Sequence, residues 1–390
     1  MWRRNYRMSK QTDKFRIALF LSSMSGGGVE RLMLNLAQGF RGKGMNVELV
    51  LANAVGPCMV NVPKGCSVVD LGVKWGKGDK RVILALPALA RYLSHVSPDV
   101  LIAAPGYSGI IALLAKQLVR AGTRVLIIVD VALSQFLSGK WHERLLVLLA
   151  RYWYRHADAI IASYPRAAKE LIEVVRAPAD RVRVIYSPFV TDDMLEAAKT
   201  PPDHPWFHPG NPPVVLGVGR LVKEKDFALL IRAFAEVRSK NTARLVILGD
   251  GIERRQLEKL VDDLHLSEEV ALLGFVINPY SYMAKASVLV LPSRREAFGG
   301  VLIEAMALGT PVVAIDSPTG GPRDILEKCK YGMLVEAGDL KGLAKAINET
   351  IEVHGDMGHV RERVQAFSVE SAIRGYMEII NRVTHQCTKR

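Results

Sequence analysis

Short apolar runs alternate with longer stretches of helical periodicity along most of the chain. RIALFL (16–21), VELVLA (47–52), VLIAA (100–104), VLIIV (125–129), AIIAS (159–163) and VRVIY (182–186) are largely apolar and rich in branched residues. Strands that read as continuous apolar runs are buried on both faces, as in parallel sheets. Between the runs lie GVERLMLNLAQGFRGKG, GIIALLAKQLVRAG and RAAKELIEVV, which read as helices. The alternation predicts an α/β fold, a parallel sheet with helices on both faces. Residues 200–213, TPPDHPWFHPGNPP, break the pattern with six prolines and no apolar period, and predict a linker. A second series opens at VVLGVGRL (214–221) and continues through ARLVILGDG, VALLGFV, ASVLVLPS and PVVAIDS. The expected organisation is a basic tail (1–15), a first domain (16–199), the linker (200–213), a second domain (214–366) and a final amphipathic helix within 367–390.

A length of 390 residues suits two domains, each large enough for its own core. The net charge of +13 is unevenly placed. Residues 1–205 hold 28 Lys and Arg against 16 Asp and Glu, whereas the remainder holds 24 against 23. The first half therefore expects an anionic partner: a lipid headgroup, a membrane surface or an acidic acceptor. No helix-turn-helix, zinc-finger or RNP-like motif is present, so nucleic acid is not expected. The segments 74–95 and 140–157 mix cations, Trp, Tyr and Leu, and are expected to touch a membrane interface. RIALFLSSM (16–24) is too short for a signal core or a membrane span, so no transmembrane helix is expected. Cys58, Cys66, Cys329 and Cys387 have neither CxxC nor metal-ligand spacing, which predicts a reducing compartment.

The chemistry concentrates in RREAFGGVLIEAMALGTPVVAIDSPTGGPRDIL (294–326). A strand-like run, 286–293, leads to Glu296, then to Phe298-Gly299-Gly300-Val301 and an apolar helix carrying Glu304. That order sets free backbone N–H groups and a positive helix end beside an acid at a strand's C-terminal end. Phosphate-bearing ligands bind at such places, and the acids can take hydroxyls of an attached sugar or ribose. A nucleotide-sugar site is the expectation, with Glu304 accepting ribose hydroxyls. Gly219-Arg220-Leu221, followed by Lys225, lies after the first strand of the second domain. Arg offers a planar fork and Lys a mobile charge, a set suited to a leaving diphosphate without a metal ion. Ser25-Gly26-Gly27-Gly28 follows the first strand of the first domain, where missing side chains permit close approach to a ligand.

With these residues in view, the chain resembles the retaining, GT-B-fold glycosyltransferases of family 4. Glu296 and Glu304 match the E-x7-E signature, and Pro318 to Leu326 matches a segment of a branch acting mostly in bacterial surface polysaccharide and glycan assembly. The resemblance implies two Rossmann-like doubly wound domains facing a central cleft, the final helix crossing back to the first domain. It implies a retaining, metal-independent transfer from a nucleotide-sugar, UDP-sugar foremost, to a lipid-linked or polysaccharide acceptor. No cofactor or metal is implied, and the location implied is cytoplasmic, on the inner face of the membrane. Arg220 and Lys225 stand where the family holds the diphosphate, and Glu296 where it contacts the donor sugar. Gly249 and Phe275 stand in turns that flank the base. Gly27-Gly28-Val29-Glu30-Arg31 matches the family's GG-x-E-R segment, and Phe298 to Val301 offer backbone N–H groups to sugar or phosphate. One departure is plain: many members carry a His after the strand at 125–129, whereas this chain has Asp130, with Ser134 nearby. Asp130 is the candidate replacement contact to the sugar. The alternative readings are a GT-B nucleotide-sugar epimerase and a non-catalytic nucleotide-sugar-binding scaffold.

Overall fold

The computed structural model describes residues 15–25, 27–76, 79–130, 141–296, 298–352 and 358–385. Ser134 and the basic tail, except Phe15, fall outside them. In the first domain the strands are β1 (Arg16–Leu21), β2 (Asn46–Leu51), β3 (Ser67–Asp70), β4 (Val100–Ala103), β5 (Arg124–Val129), β6 (Ala159–Ala162) and β7 (Val182–Val184). They form one parallel sheet in the order β3-β2-β1-β4-β5-β6-β7. The second domain contains β8 (Val214–Val218), β9 (Arg244–Leu248), β10 (Val270–Gly274), β11 (Val288–Leu291), β12 (Val312–Asp316) and β13 (Met333–Glu336). Its parallel order is β10-β9-β8-β11-β12-β13. The central strands are covered on both faces: Ile17 to Phe20 and Val125 to Ile128 are fully buried, which is why they read as unbroken apolar runs.

Each sheet reverses its strand order once, between β1 and β4 and between β8 and β11. Beyond the strand C-termini at such a reversal, successive connections leave in opposite directions and open a crevice. The fold thus places one crevice in each domain before any side chain is considered.

The final helix, Val369–His385, packs on the first domain. Its Ile373, Tyr376, Ile379, Ile380 and Val383 join the core of β1 and β2, and Tyr376 meets Phe40 edge to face at 6.0 Å. The Pro-rich segment lies against the second domain. The Arg244 guanidinium covers the Trp206 ring at 5.0 Å, Phe207 meets Tyr282, and the Tyr282 hydroxyl donates to Asp203 O at 3.2 Å. The two crossings between domains run side by side just outside that segment. Phe189 and Val190 N–H donate to Phe367 O at 3.0 and 3.2 Å, and Val369 N–H returns to Val190 O at 3.3 Å.

Candidate active site

The β8–β11 crevice gathers residues far apart in sequence. Lys225 ends the turn Lys223–Lys225 that follows β8, and its Nζ donates to Glu296 Oε2 on the loop after β11. The Ser293 hydroxyl donates to the same oxygen at 3.2 Å. Glu296 N–H donates to Ser317 Oγ at 3.2 Å and Thr319 Oγ1 at 3.1 Å, while the Thr319 hydroxyl donates to Glu296 O. Glu296 is therefore held by the β8 turn, its own turn and the loop after β12. A group fixed before substrate arrives loses little freedom in the reaction. Arg294 locks this frame: its Nε donates to Asp226 Oδ2 at 2.5 Å and its N–H to Glu224 O at 2.9 Å. Arg220 is exposed in the same connection after β8. Its neighbours are tied to the next turn by Gly219 N–H to Leu248 O and Leu221 N–H to Asp250 O, at 3.0 and 2.9 Å.

Gly249 explains how closely these turns stack. Its φ is +136°, and a Cβ there would lie 1.9 Å from Gly219 O. Gly249 N–H in turn donates to Gly274 O at 2.7 Å. The turns after β8, β9 and β10 thus meet backbone to backbone. On the connections after β9 and β10, Ile252, Phe275 and Ile277 stand 83, 80 and 92% exposed.

The signature helix is Gly300–Ala307. Its first N–H groups lack intrahelical acceptors by construction. The Phe298 ring itself faces away from this role, stacked between Tyr164 and Phe189, each at 5.5 Å. Phe367 adds an edge contact at 6.0 Å, so Phe298 is a pillar of the seam between the domains. A Cβ on Gly300 would lie 2.2 Å from the Phe189 ring; glycine is needed for that approach. Val301 is half-buried behind it. Glu304 is buried, and it receives Arg31 Nη1 at 2.5 Å from the opposite domain. Arg31 lies on the first helix, Gly28–Gly42, which opens directly after Gly27. Glu30 Oε2 accepts Gly27 N–H at 2.9 Å, so Glu30 serves the loop itself. Gly26 lies outside the described residues.

Asp130 sits half-buried at the end of β5. Burial pushes its carboxyl up to about 6. The Tyr154 and Tyr164 hydroxyls lie within its electrostatic reach, and Tyr164 Oη is buried without a hydrogen-bond partner among the described residues. Of the histidines, His156 is exposed at the end of the turn Tyr154–His156, and His204 accepts Trp206 N–H in the Pro-rich segment.

The structure brings Lys225, Glu296 and Ser293 into contact and sets Arg220 in the connection from β8 to the Lys225 turn. It joins Glu304 to Arg31, a residue that the sequence reading did not single out for binding. Two family models match the chain: "Glycosyl transferases group 1" over residues 203–365 and "Glycosyl transferase 4-like domain" over residues 27–188. The chain belongs to this family of glycosyltransferases. It is 28% identical over 352 residues to N-acetylgalactosamine-N,N'-diacetylbacillosaminyl-diphospho-undecaprenol 4-alpha-N-acetylgalactosaminyltransferase of Campylobacter jejuni, covering 86% of this chain and 90% of that protein. It is 30% identical over 233 residues to the lipopolysaccharide core biosynthesis glycosyltransferase LpsE of Rhizobium meliloti, covering 58% of this chain and 65% of that one. Among solved structures, Anabaena Alr3699/HepE in complex with UDP superposes with a TM-score of 0.73 at 21% identity, over 94% of this chain and all of that one. The fold is GT-B, with the final helix returned to the first domain.

Proposed function

We propose that this glycosyltransferase moves a sugar, with retention of configuration, from a nucleotide-sugar to a lipid-linked or polysaccharide acceptor in cell-surface glycan synthesis. The observation that carries the reading is the Lys225–Glu296 contact at the β8–β11 crevice, with Arg220 in the same connection after β8. As the bond from sugar to phosphate breaks, negative charge grows on the diphosphate. Arg220 and Lys225 take that charge without a metal ion. Glu296 lies between the cation and the sugar, positions the ring and steadies the positive charge at its reacting carbon. Glu304 holds the ribose, and the N–H groups of Phe298, Gly299, Gly300 and Val301 take sugar or phosphate oxygens. Gly249 and Phe275 border the base. Gly27 and Gly28 approach the donor from the first domain, and Asp130 meets the sugar. UDP is the first candidate nucleotide, since the Anabaena neighbour holds UDP.

A lipid-linked acceptor draws support from the name of the Campylobacter relative, whose substrate carries diphospho-undecaprenol. It is also consistent with the surface of the first domain. Helix Trp141–Trp153 exposes Leu145, Leu148 and Tyr152 on one side, with Arg151 and Arg155 close by. Trp75, Ile83 and Leu84 are exposed too. Cations beside exposed aromatic and aliphatic groups suit an anionic membrane surface. No helix among the described residues is long and apolar enough to cross a membrane. The reading places the enzyme on the inner face of the cytoplasmic membrane.

The test is incubation with a panel of UDP-, GDP- and ADP-sugars, following nucleoside diphosphate release with and without a membrane lipid extract. Release that needs the extract supports a lipid-linked acceptor. Conversion of the free donor sugar to its epimer, seen by NMR, would overturn transfer.

A further inference from the structure

The signature helix buries a carboxylate among apolar neighbours. Glu304 is 5% exposed, and Leu302, Ile303, Ala305 and Met306 around it are buried as well. Burial pushes its carboxyl up, because an unpaired charge in such surroundings takes a proton. Arg31 opposes that shift from the other domain, with Nη1 at 2.5 Å from Oε1. The second domain supplies no cation of its own at this point among the described residues. Tyr280, on helix Pro279–Met283, is the other titratable group beside the pair, its hydroxyl pushed up to about 12 by burial and by Glu304. On the adjoining helix Gly358–Gln365, Arg363 is committed to Glu327 and to the Asp324 and Ile325 carbonyls, while Arg361 and Glu362 are exposed. On helix Gly321–Leu326, Arg323 pairs with Asp316. Cys58 lies beside Arg31 rather than beside Glu304.

We propose that Arg31 is a positioning residue for the nucleotide. Supplied from the first domain, it keeps Glu304 charged and aims the carboxylate so that Oε2 meets the ribose hydroxyls. The inference rests on Glu304 being the ribose acceptor. Its consequence is a donor site that the second domain cannot complete alone. Opening the cleft withdraws Arg31 and leaves Glu304 to take a proton; closing the cleft restores the carboxylate. Closure and ribose binding thus favour one another, each stabilising the state the other needs. The half-exposed guanidinium of Arg31, against the buried carboxylate of Glu304, fits a group that can leave.

The sign follows from the pairing. Arg31 lowers the proton affinity of Glu304, so the paired arrangement is favoured as pH rises and is lost as pH falls through the Glu304 titration.

The experiment titrates wild type and the Arg31→Met, Arg31→Lys, Glu304→Gln and Arg31→Met/Glu304→Gln variants with UDP, GDP and ADP, by calorimetry, from acid to mildly alkaline pH. The diphosphate that wild type binds most tightly is then repeated in its 2′-deoxy form. Thermal melts check that each variant is folded, and Arg31→Lys keeps the cation should Arg31→Met fold poorly. Arg31→Met is expected to weaken binding about tenfold at acid pH and to recover part of the loss as pH rises. Arg31→Lys should stay near wild type. Glu304→Gln should bind weakly at every pH, the double variant no worse, and the 2′-deoxy ligand should blunt the Arg31 effect. Wild-type binding by Arg31→Met at all pH values, with Glu304→Gln still weak, overturns the role of Arg31 and leaves the ribose reading standing. Wild-type binding by Glu304→Gln overturns the ribose reading and the inference with it.

Discussion

Lys225 reaches Glu296 across the β8–β11 reversal, joining residues 71 positions apart into one charged contact. The cation proposed to take the leaving diphosphate and the acid proposed to face the sugar therefore share one frame. Each fixes the other before the donor arrives. Replacing Lys225 by Ala removes a charge that acts as the bond breaks and also frees Glu296 to move. Turnover of the Lys225→Ala variant should fall about 10²–10³-fold, the scale of losing one transition-state donor, with a smaller change in donor KM. Steady-state kinetics with saturating acceptor measures both. A pure KM effect would assign Lys225 to ground-state binding.

Aromatic rings stack at the seam between the domains, and Gly300 lies directly against one of them, Phe189. A methyl group there would meet the Phe189 ring at 2.2 Å, which no rotamer of alanine relieves. Gly300→Ala should destabilise the protein and lower transfer, since the seam and the start of the signature helix move together. Removing the obstructing ring in a Phe189→Ala/Gly300→Ala pair should recover part of the helix geometry, and with it part of nucleotide binding. Phe298→Ala, by contrast, leaves a void among Tyr164, Phe189 and Phe367 and should cost about 3–5 kcal/mol. Urea denaturation measures the stability of each variant.

Much of the fold was legible because β1, β4, β5, β6, β8 and β11 are covered on both faces, and burial writes itself into sequence as an apolar run. The edge strands β3 and β13 escaped notice, because half-exposed residues leave a mixed pattern. The Pro-rich segment read as a linker from its prolines and its lack of an apolar period; composition said nothing of Trp206 and Phe207 anchoring it to the second domain. The placement of Glu296, Lys225 and the glycine turns beyond strand ends was legible because each follows an apolar run. The Arg31–Glu304 bond, between residues 273 positions apart, was not. Nothing in local spacing tells a side chain which partner waits across a cleft. Phe298 was read as a site position from the signature; the stacked rings show its side chain at the seam.

Asp130 carries a stability consequence with a definite sign. Its carboxyl titrates at about 6 in the folded chain, against roughly 3.9 when unfolded. The stability it contributes is present below the unfolded value and is lost as pH rises through about 6. Asp130→Asn removes this dependence. At mildly alkaline pH the variant should be more stable than wild type by on the order of 1–3 kcal/mol, and the gap should close in acid. Donor KM should rise at the same time if Asp130 meets the sugar. Chemical denaturation across pH, paired with kinetics, reads both effects; a gap that stays constant with pH would contradict the burial of this acid.

The exposed stripe of helix Trp141–Trp153 separates membrane contact from chemistry. Leu148 and Tyr152 are each 57% exposed, so replacing both by Glu should leave the fold and nucleotide binding intact. Co-flotation with vesicles rich in phosphatidylglycerol should drop sharply in the Leu148→Glu/Tyr152→Glu variant and should already be weak for wild type on purely zwitterionic vesicles. Undiminished flotation of the variant would move the docking face elsewhere.

The measurement that bears most directly on the proposed mechanism is transfer from the preferred nucleotide-sugar in the presence of excess EDTA, by wild type and by the Arg220→Ala/Lys225→Ala variant, with the anomeric configuration of the product read by NMR. The account predicts that wild type is active in EDTA, that its product keeps the donor's configuration, and that the double variant is nearly inactive. Loss of wild-type transfer in EDTA, an inverted product, or undiminished turnover in the double variant would contradict it.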